Sequence, residues 1–138
     1  MNLKEILSVP GKKGVYKIVS KGKGNIIAES LLDGSRMPVF PSMQASTLGD
    51  ICIFTENDSL MLKDVFKRIY ETENGKKAID VYASKPAEIE VYMTKILPEY
   101  DRDRVHLSDM KKLFFWYNQL LEHNILSFEE ENKEEEAV

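Results

Sequence analysis

Cysteine occurs once in the 138 residues, at Cys52, so neither an intramolecular disulfide nor a cysteine-rich zinc site can form. Flanked by Ile51, Ile53 and Phe54, it is expected to be a small buried hydrophobe on a strand and not an activated nucleophile. No apolar run approaches the roughly 20 residues of a membrane span, and Met1–Leu7 holds no apolar core of signal-peptide length. A soluble, cytoplasmic protein without membrane association is the expectation. Gly-x-Ser-x-Gly elbows, His-Glu-x-x-His pairs and Walker-type loops are all missing, and the glycines at 11, 14, 22 and 24 lack the helix start that a phosphate cradle needs. No cofactor is implied.

A hydrophobic fraction of 43% suits one compact domain or two small ones. The net charge of −4 is unevenly spread. Residues 1–54 carry seven Lys/Arg against four Asp/Glu, residues 55–127 eleven against thirteen, and residues 128–138 one against six. The acidity thus belongs to the tail.

Leu3, Ile6 and Leu7 share a helical face, and Pro10-Gly11 closes that short element. Val15–Val19 and Asn25–Glu29 flank the glycine-rich connection Lys21–Gly24, the pattern of a β-hairpin. Asp33-Gly34 separates Leu31-Leu32 from Arg36–Phe40, and Leu48-Gly49-Asp50 leads into Ile51–Phe54. Short strands with apolar residues on both faces predict a small curled sheet, an SH3-like β-barrel before a partial OB-like one. The period then turns helical. Asp58 or Ser59 is a candidate cap for a helix carrying Leu62, Val65, Phe66 and Ile69 and stopped at Asn74-Gly75; Pro86 opens a second helix that Pro98 terminates; Ser108 or Asp109 caps a third, ending at His123-Asn124. The expected class is α+β: residues 1–56 as a small β-barrel with a short N-terminal helix, 57–128 as a three-helix unit, and 129–138 as a disordered acidic tail.

Three groups of residues invite a chemical reading. Glu99, Asp101, Asp103, His106 and Asp109 crowd one connection, but Val105 and His106 stand where a calcium loop wants an oxygen ligand and glycine, so Asp101 and Asp103 are expected to pair with Arg102, Arg104 or Lys111 and fix a turn between two helices. No metal site is assigned. Lys12, Lys13, Lys17, Lys21 and Lys23 surround Tyr16, a combination that binds nucleic acid in some small barrels, although lysines also protect edge strands from pairing. On a helical wheel Met110, Leu113, Phe114, Tyr117, Leu120 and Leu121 form one core arc with Trp116 at its edge, while Phe115 points away among Lys111, Lys112, Asn118 and Gln119. Phe115 then either packs within the chain or meets a partner.

The segments Leu3–Lys17, Asp33–Pro38, Leu48–Ile51, Leu97–Val105 and Ser108–Leu113 together resemble a family of short uncharacterised Bacteroidetes proteins classified as a domain of unknown function. The resemblance covers nearly the whole chain except the acidic tail. It implies a bacterial cytoplasmic protein with a barrel-like first part and a helical second part, and transfers no site residues.

Without a nucleophile–base set, a metal set or a cofactor loop, the sequence favours a non-enzymatic module that binds another protein through Tyr100, Asp101, Arg102 and Arg104, with Phe115 and Trp116. The alternative is a regulator that binds nucleic acid through the lysine-rich hairpin, at Lys12, Lys13, Tyr16, Lys17, Lys21 and Lys23.

Overall fold

The computed structural model describes residues 3–12, 14–123 and 125–126. The expected acidic tail lies outside them, as does Lys13. The described residues form two compact units, one running to Ile51 and resuming at His123, the other spanning Cys52–Glu122.

In the first unit a 3-10 turn at Leu3–Glu5 passes directly into strand β1 (Ile6–Ser8). The expected N-terminal helix is therefore a single turn. Three apolar residues in so short a stretch satisfy helical and extended spacing equally, and pairing on both sides decides for β: β1 lies between β2 (Tyr16–Lys21) and β5 (Ser46–Thr47). Strands β3 (Ile26–Ser30) and β4 (Arg36–Val39) complete an antiparallel sheet in the order β4-β3-β2-β1-β5. The β2–β3 hairpin turns where the sequence placed it. Gly22 N donates to Asn25 O at 3.0 Å, and Gly24 takes φ +80°, a conformation costly for any residue with a Cβ.

No closed barrel forms among the described strands, which corrects the SH3-like expectation. The two edge strands β4 and β5 are not paired to each other. Pro38 removes a donor from β4, β5 has two residues, and the strand expected to extend the sheet, Cys52–Phe54, pairs elsewhere.

That strand is β6 (Cys52–Phe54), which pairs with β7 (Ser59–Met61) in a separate two-stranded sheet of the second unit. Ser59 is thus a strand residue and not a helix cap. Asp58 closes the hairpin turn instead, its N–H donating to Thr55 Oγ1 at 3.1 Å while Thr55 N donates to Asp58 O at 2.9 Å. Three α-helices follow: α1 (Leu62–Thr72), α2 (Pro86–Ile96) and α3 (Leu107–Glu122). Pro86 opens α2 as expected, where its missing N–H costs nothing, and Glu88 accepts the Lys85 amide at 2.9 Å. Asp109 does cap α3, but from inside the first turn, by accepting the amide of His106 at 3.0 Å.

The core of this unit is aromatic and aliphatic. Leu62, Val65, Phe66 and Ile69 from α1, Ile89 and Met93 from α2, and Leu113, Phe114, Tyr117 and Leu120 from α3 are all essentially without solvent contact. Phe66 meets Tyr117 with ring centroids 6.0 Å apart, and Tyr92 meets Phe114 edge-on at 5.0 Å. The 76–79 connection forms no strand. Its backbone is stitched to α3 by Asn118, whose Oδ1 accepts the Ala78 amide at 2.6 Å and whose Nδ2 donates to Ala78 O and Ile79 O, and by the Tyr117 hydroxyl, which donates to Lys76 O at 3.0 Å.

Candidate functional site

Register determines which side chains of the first unit share a face, because directly opposed residues of an antiparallel pair point the same way. Leu7 opposes both Tyr16 and Thr47, Ile18 opposes Ala28, Ala28 opposes Met37, and Ile26 opposes Val39. These residues form the inner face. Its buried cluster is Leu7, Val9, Tyr16, Ala28 and Val39, against which Ile18, Ile26, Met37, Met43 and Ala45 are packed but only partly covered.

The uncovered part of that face is a groove of about 440 Å³. Its floor is Leu7, with Ala45 and Thr47 beside it; one wall is Lys21, Gly22 and Gly24–Ile26 of the hairpin, and the other is Val39-Phe40-Pro41. Pro41–Met43 makes a 3-10 turn that ends at Gln44 in the left-handed region, and Phe40 N donates to Met43 Sδ at 3.3 Å. This knuckle holds the Phe40 ring 46% exposed. The lining is mainly apolar, and its only charged residue is Lys21. It contains no carboxylate, histidine or cysteine, so it suits binding more than bond-breaking.

Residues singled out in the sequence sort differently in space. Lys17 opposes Glu29, which pairs with Arg36 at 3.5 Å, so Lys17 belongs to the outer face of the sheet while Lys21 opposes Ile26 on the inner one. Lys12 lies beyond the sheet, its amide donating to Val9 O, and Lys23 sits at the hairpin tip. The described lysines therefore form no single basic stripe. Nor do Lys17 and Lys21 guard an edge, since β2 lies inside the sheet. Tyr16 is 8% exposed and presents no ring for a base to stack on.

In the second unit the Leu97–His106 connection is a tightly tied turn. Asp101 Oδ1 accepts the amides of Asp103 and Arg104 at 2.9 and 3.3 Å, and Asp101 Oδ2 pairs with Arg104 at 3.5 Å. Glu99 forms a two-pronged pair with Arg68, which holds its carboxyl below the usual range. The connection also pairs with β6: Asp101 N donates to Phe54 O, and Glu56 N to Glu99 O, both at 2.9 Å. Of the two acids expected to pair within this turn, Asp101 does so with Arg104, while Glu99 pairs with Arg68 and Asp109 caps α3. Arg102 lies over the Tyr100 ring at 4.5 Å and reaches Glu56 at 3.8 Å, and Arg104 lies over Phe54 at 4.9 Å.

Tyr100 and Trp116 are buried, whereas Phe115 is half-buried and meets Tyr82 edge-on at 5.4 Å. The off-face ring therefore packs within its own unit. Cys52 corrects the sequence reading, for it is exposed. Strand alternation turns Ile53 inward and Cys52 and Phe54 outward, and Met61, opposite Cys52, shares that outer face. Tyr92 donates to Glu73 at 2.5 Å; burial first, and this carboxylate second, raise its pKa, and burial pushes Tyr117 up to about 12.

The groove was missed in the sequence because no motif marks it. A signal existed only in the hydrophobic excess of Ile26, Met37, Val39 and Phe40 over what one thin sheet can cover.

Comparison with known proteins follows the same division. Residues 3–48 match the family described as Domain of unknown function (DUF5606), and residues 51–120 match Domain of unknown function (DUF6852). No curated protein matches the chain. A solution NMR structure from Bacteroides vulgatus, a structural-genomics target, is 38% identical over 92% of this chain and 91% of its own, with a TM-score of 0.74. No helix among the described residues is long and apolar enough to cross a membrane. The family resemblance read from the sequence therefore holds: the chain belongs to the DUF6852 family, with a DUF5606 segment ahead of that domain.

Proposed function

We propose that the protein is a non-enzymatic, cytoplasmic adaptor that binds another protein through the groove of its first unit. The observation that carries this reading is the groove itself, a concave and mainly apolar surface of about 440 Å³ with the Phe40 ring on its rim. Apolar clefts with a few polar groups at the margin are where binding energy concentrates, since water leaves them at little cost. Neither a reactive side chain nor a basic stripe competes for the same place.

The outer face of β6–β7 is a second apolar surface, with Phe54 and Met61 exposed beside Arg102 and Arg104. Arg104 already covers part of the Phe54 ring there. The residues singled out in the sequence would serve there as a rim. The nucleic-acid reading loses ground because its lysines are divided between two faces and its aromatic is buried.

Site-specific photo-crosslinking tests the reading. With a benzoylphenylalanine at Phe40 in the full chain, illumination in cells is expected to give discrete protein adducts, and the same group at Phe54 few. Adducts from position 54 alone, or nucleic acid as the main product at position 40, would overturn it.

A further inference from the structure

Between Ile18 and Ser20 the β2–β3 ladder slips by one residue, so that Ile18 opposes Ala28 while Ser20 opposes Ile27. Val19 is the extra residue of a β-bulge. Simple alternation from Ile18 would send Lys21 to the outer face with Lys17. The bulge reverses the alternation, sets Lys21 opposite Ile26 and makes Lys21 part of the groove's lining. Lys21 makes no ion pair among the described residues, and no acidic residue lines the groove to neutralise it.

Resting on the protein-binding reading above, we infer that the groove takes an acidic polypeptide segment, seating an apolar side chain over Leu7 and Val39 and placing an adjacent carboxylate on Lys21 Nζ. Charge complementarity sets the sign of the partner: one cation on an otherwise uncharged and mainly apolar lining, with Lys23 two residues further along the turn and outside the lining. An ammonium beside apolar walls gains more from a carboxylate than it would in open water, because fewer solvent dipoles compete for it. A polypeptide, in preference to a small carboxylic acid, fits because Val39 of β4 and Thr47 of β5 belong to the two edge strands of the sheet. Edge strands offer unpaired main-chain donors and acceptors to an extended chain.

The test is selection of a random dodecapeptide display library on the full chain, wild type and Lys21→Gln in parallel, followed by affinity measurement on the enriched peptides. Wild type is expected to enrich an aliphatic or aromatic residue next to Asp or Glu, and replacing that acid by its amide should weaken binding about tenfold, the usual worth of one charged hydrogen bond. Lys21→Gln should bind acid and amide peptides equally, Lys21→Arg should restore the preference, and Lys23→Gln should change it less than about twofold, as expected of an exposed charge. Enrichment of apolar peptides with no acid preference would overturn this inference and leave the groove reading standing. No enrichment at all, or an acid preference that survives in Lys21→Gln, would overturn it too, the former together with the groove reading.

Discussion

In the second unit, helices close over their own apolar surface, whereas in the first a single sheet leaves part of its inner face uncovered. Phe66, Phe114 and Tyr117 have no solvent contact, and the polar connection beside them is fastened by Asn118 and the Tyr117 hydroxyl. On the sheet, Ile26 and Met37 remain partly covered and Phe40 stands 46% exposed. Surface that a unit buries in itself contributes to its own folding, and surface left bare remains available to a partner. The contrast also explains why the charged stretch Pro98–Arg104 looks busy in sequence. Its charges tie a turn at the surface of that unit.

The contrast can be broken by truncation. Phe114→Ala should cost about 3–5 kcal/mol, because an enclosed ring leaves a cavity that rigid neighbours cannot fill, and the fluorescence of Trp116 during urea unfolding would report it. Val39→Ala in the groove wall should cost about 1–2 kcal/mol, read by amide exchange in β3, since fewer neighbours hold the space open. Equal losses would mean that the two cores are alike.

Alkali should separate them next. Tyr117, at about 12, and Tyr92, higher still, both titrate above their ordinary value of 10 in the folded state. Protons thus bind the folded form more tightly, so this contribution is complete below pH 10 and is lost as pH rises from 10 through 12. The urea midpoint of the second unit should fall across that range, and Tyr92→Phe with Tyr117→Phe should flatten the fall. A midpoint indifferent to pH would contradict the buried hydroxyls.

Smaller effects test the turn. Asp101→Ala removes a carboxylate that accepts two amides and should cost about 1–2 kcal/mol, as helix and turn caps do. Arg104→Ala, which loses an exposed ion pair and a contact with an exposed ring, should cost about 0.5 kcal/mol or less. The reverse ranking would return the arginine to structural importance.

Much of the architecture was legible where local chemistry is unambiguous. Gly24 and Gly34 mark turns, Pro86 opens a helix, and the apolar spacing of α1 and α3 has only one period. What escaped was decided by distant partners. Ile6–Ser8 and Ser59–Met61 are too short to carry a period, and only pairing makes them strands. Cys52 is exposed because the β6–β7 hairpin buries one face, a fact its apolar neighbours conceal. The groove was illegible for the same reason. A one-residue slip at Val19 reassigns Lys21 from one face to the other, and no local pattern announces it.

The central claim is that recognition belongs to the sheet and not to the helical unit. Its most direct test is a titration of the full chain with a selected acidic peptide, followed by backbone amide NMR shifts. The account predicts shifts at Leu7, Lys21–Ile26, Val39, Phe40, Ala45 and Thr47, with Phe54, Met61, Arg102 and Arg104 unmoved. Shifts confined to those four residues, with the groove silent, would contradict it.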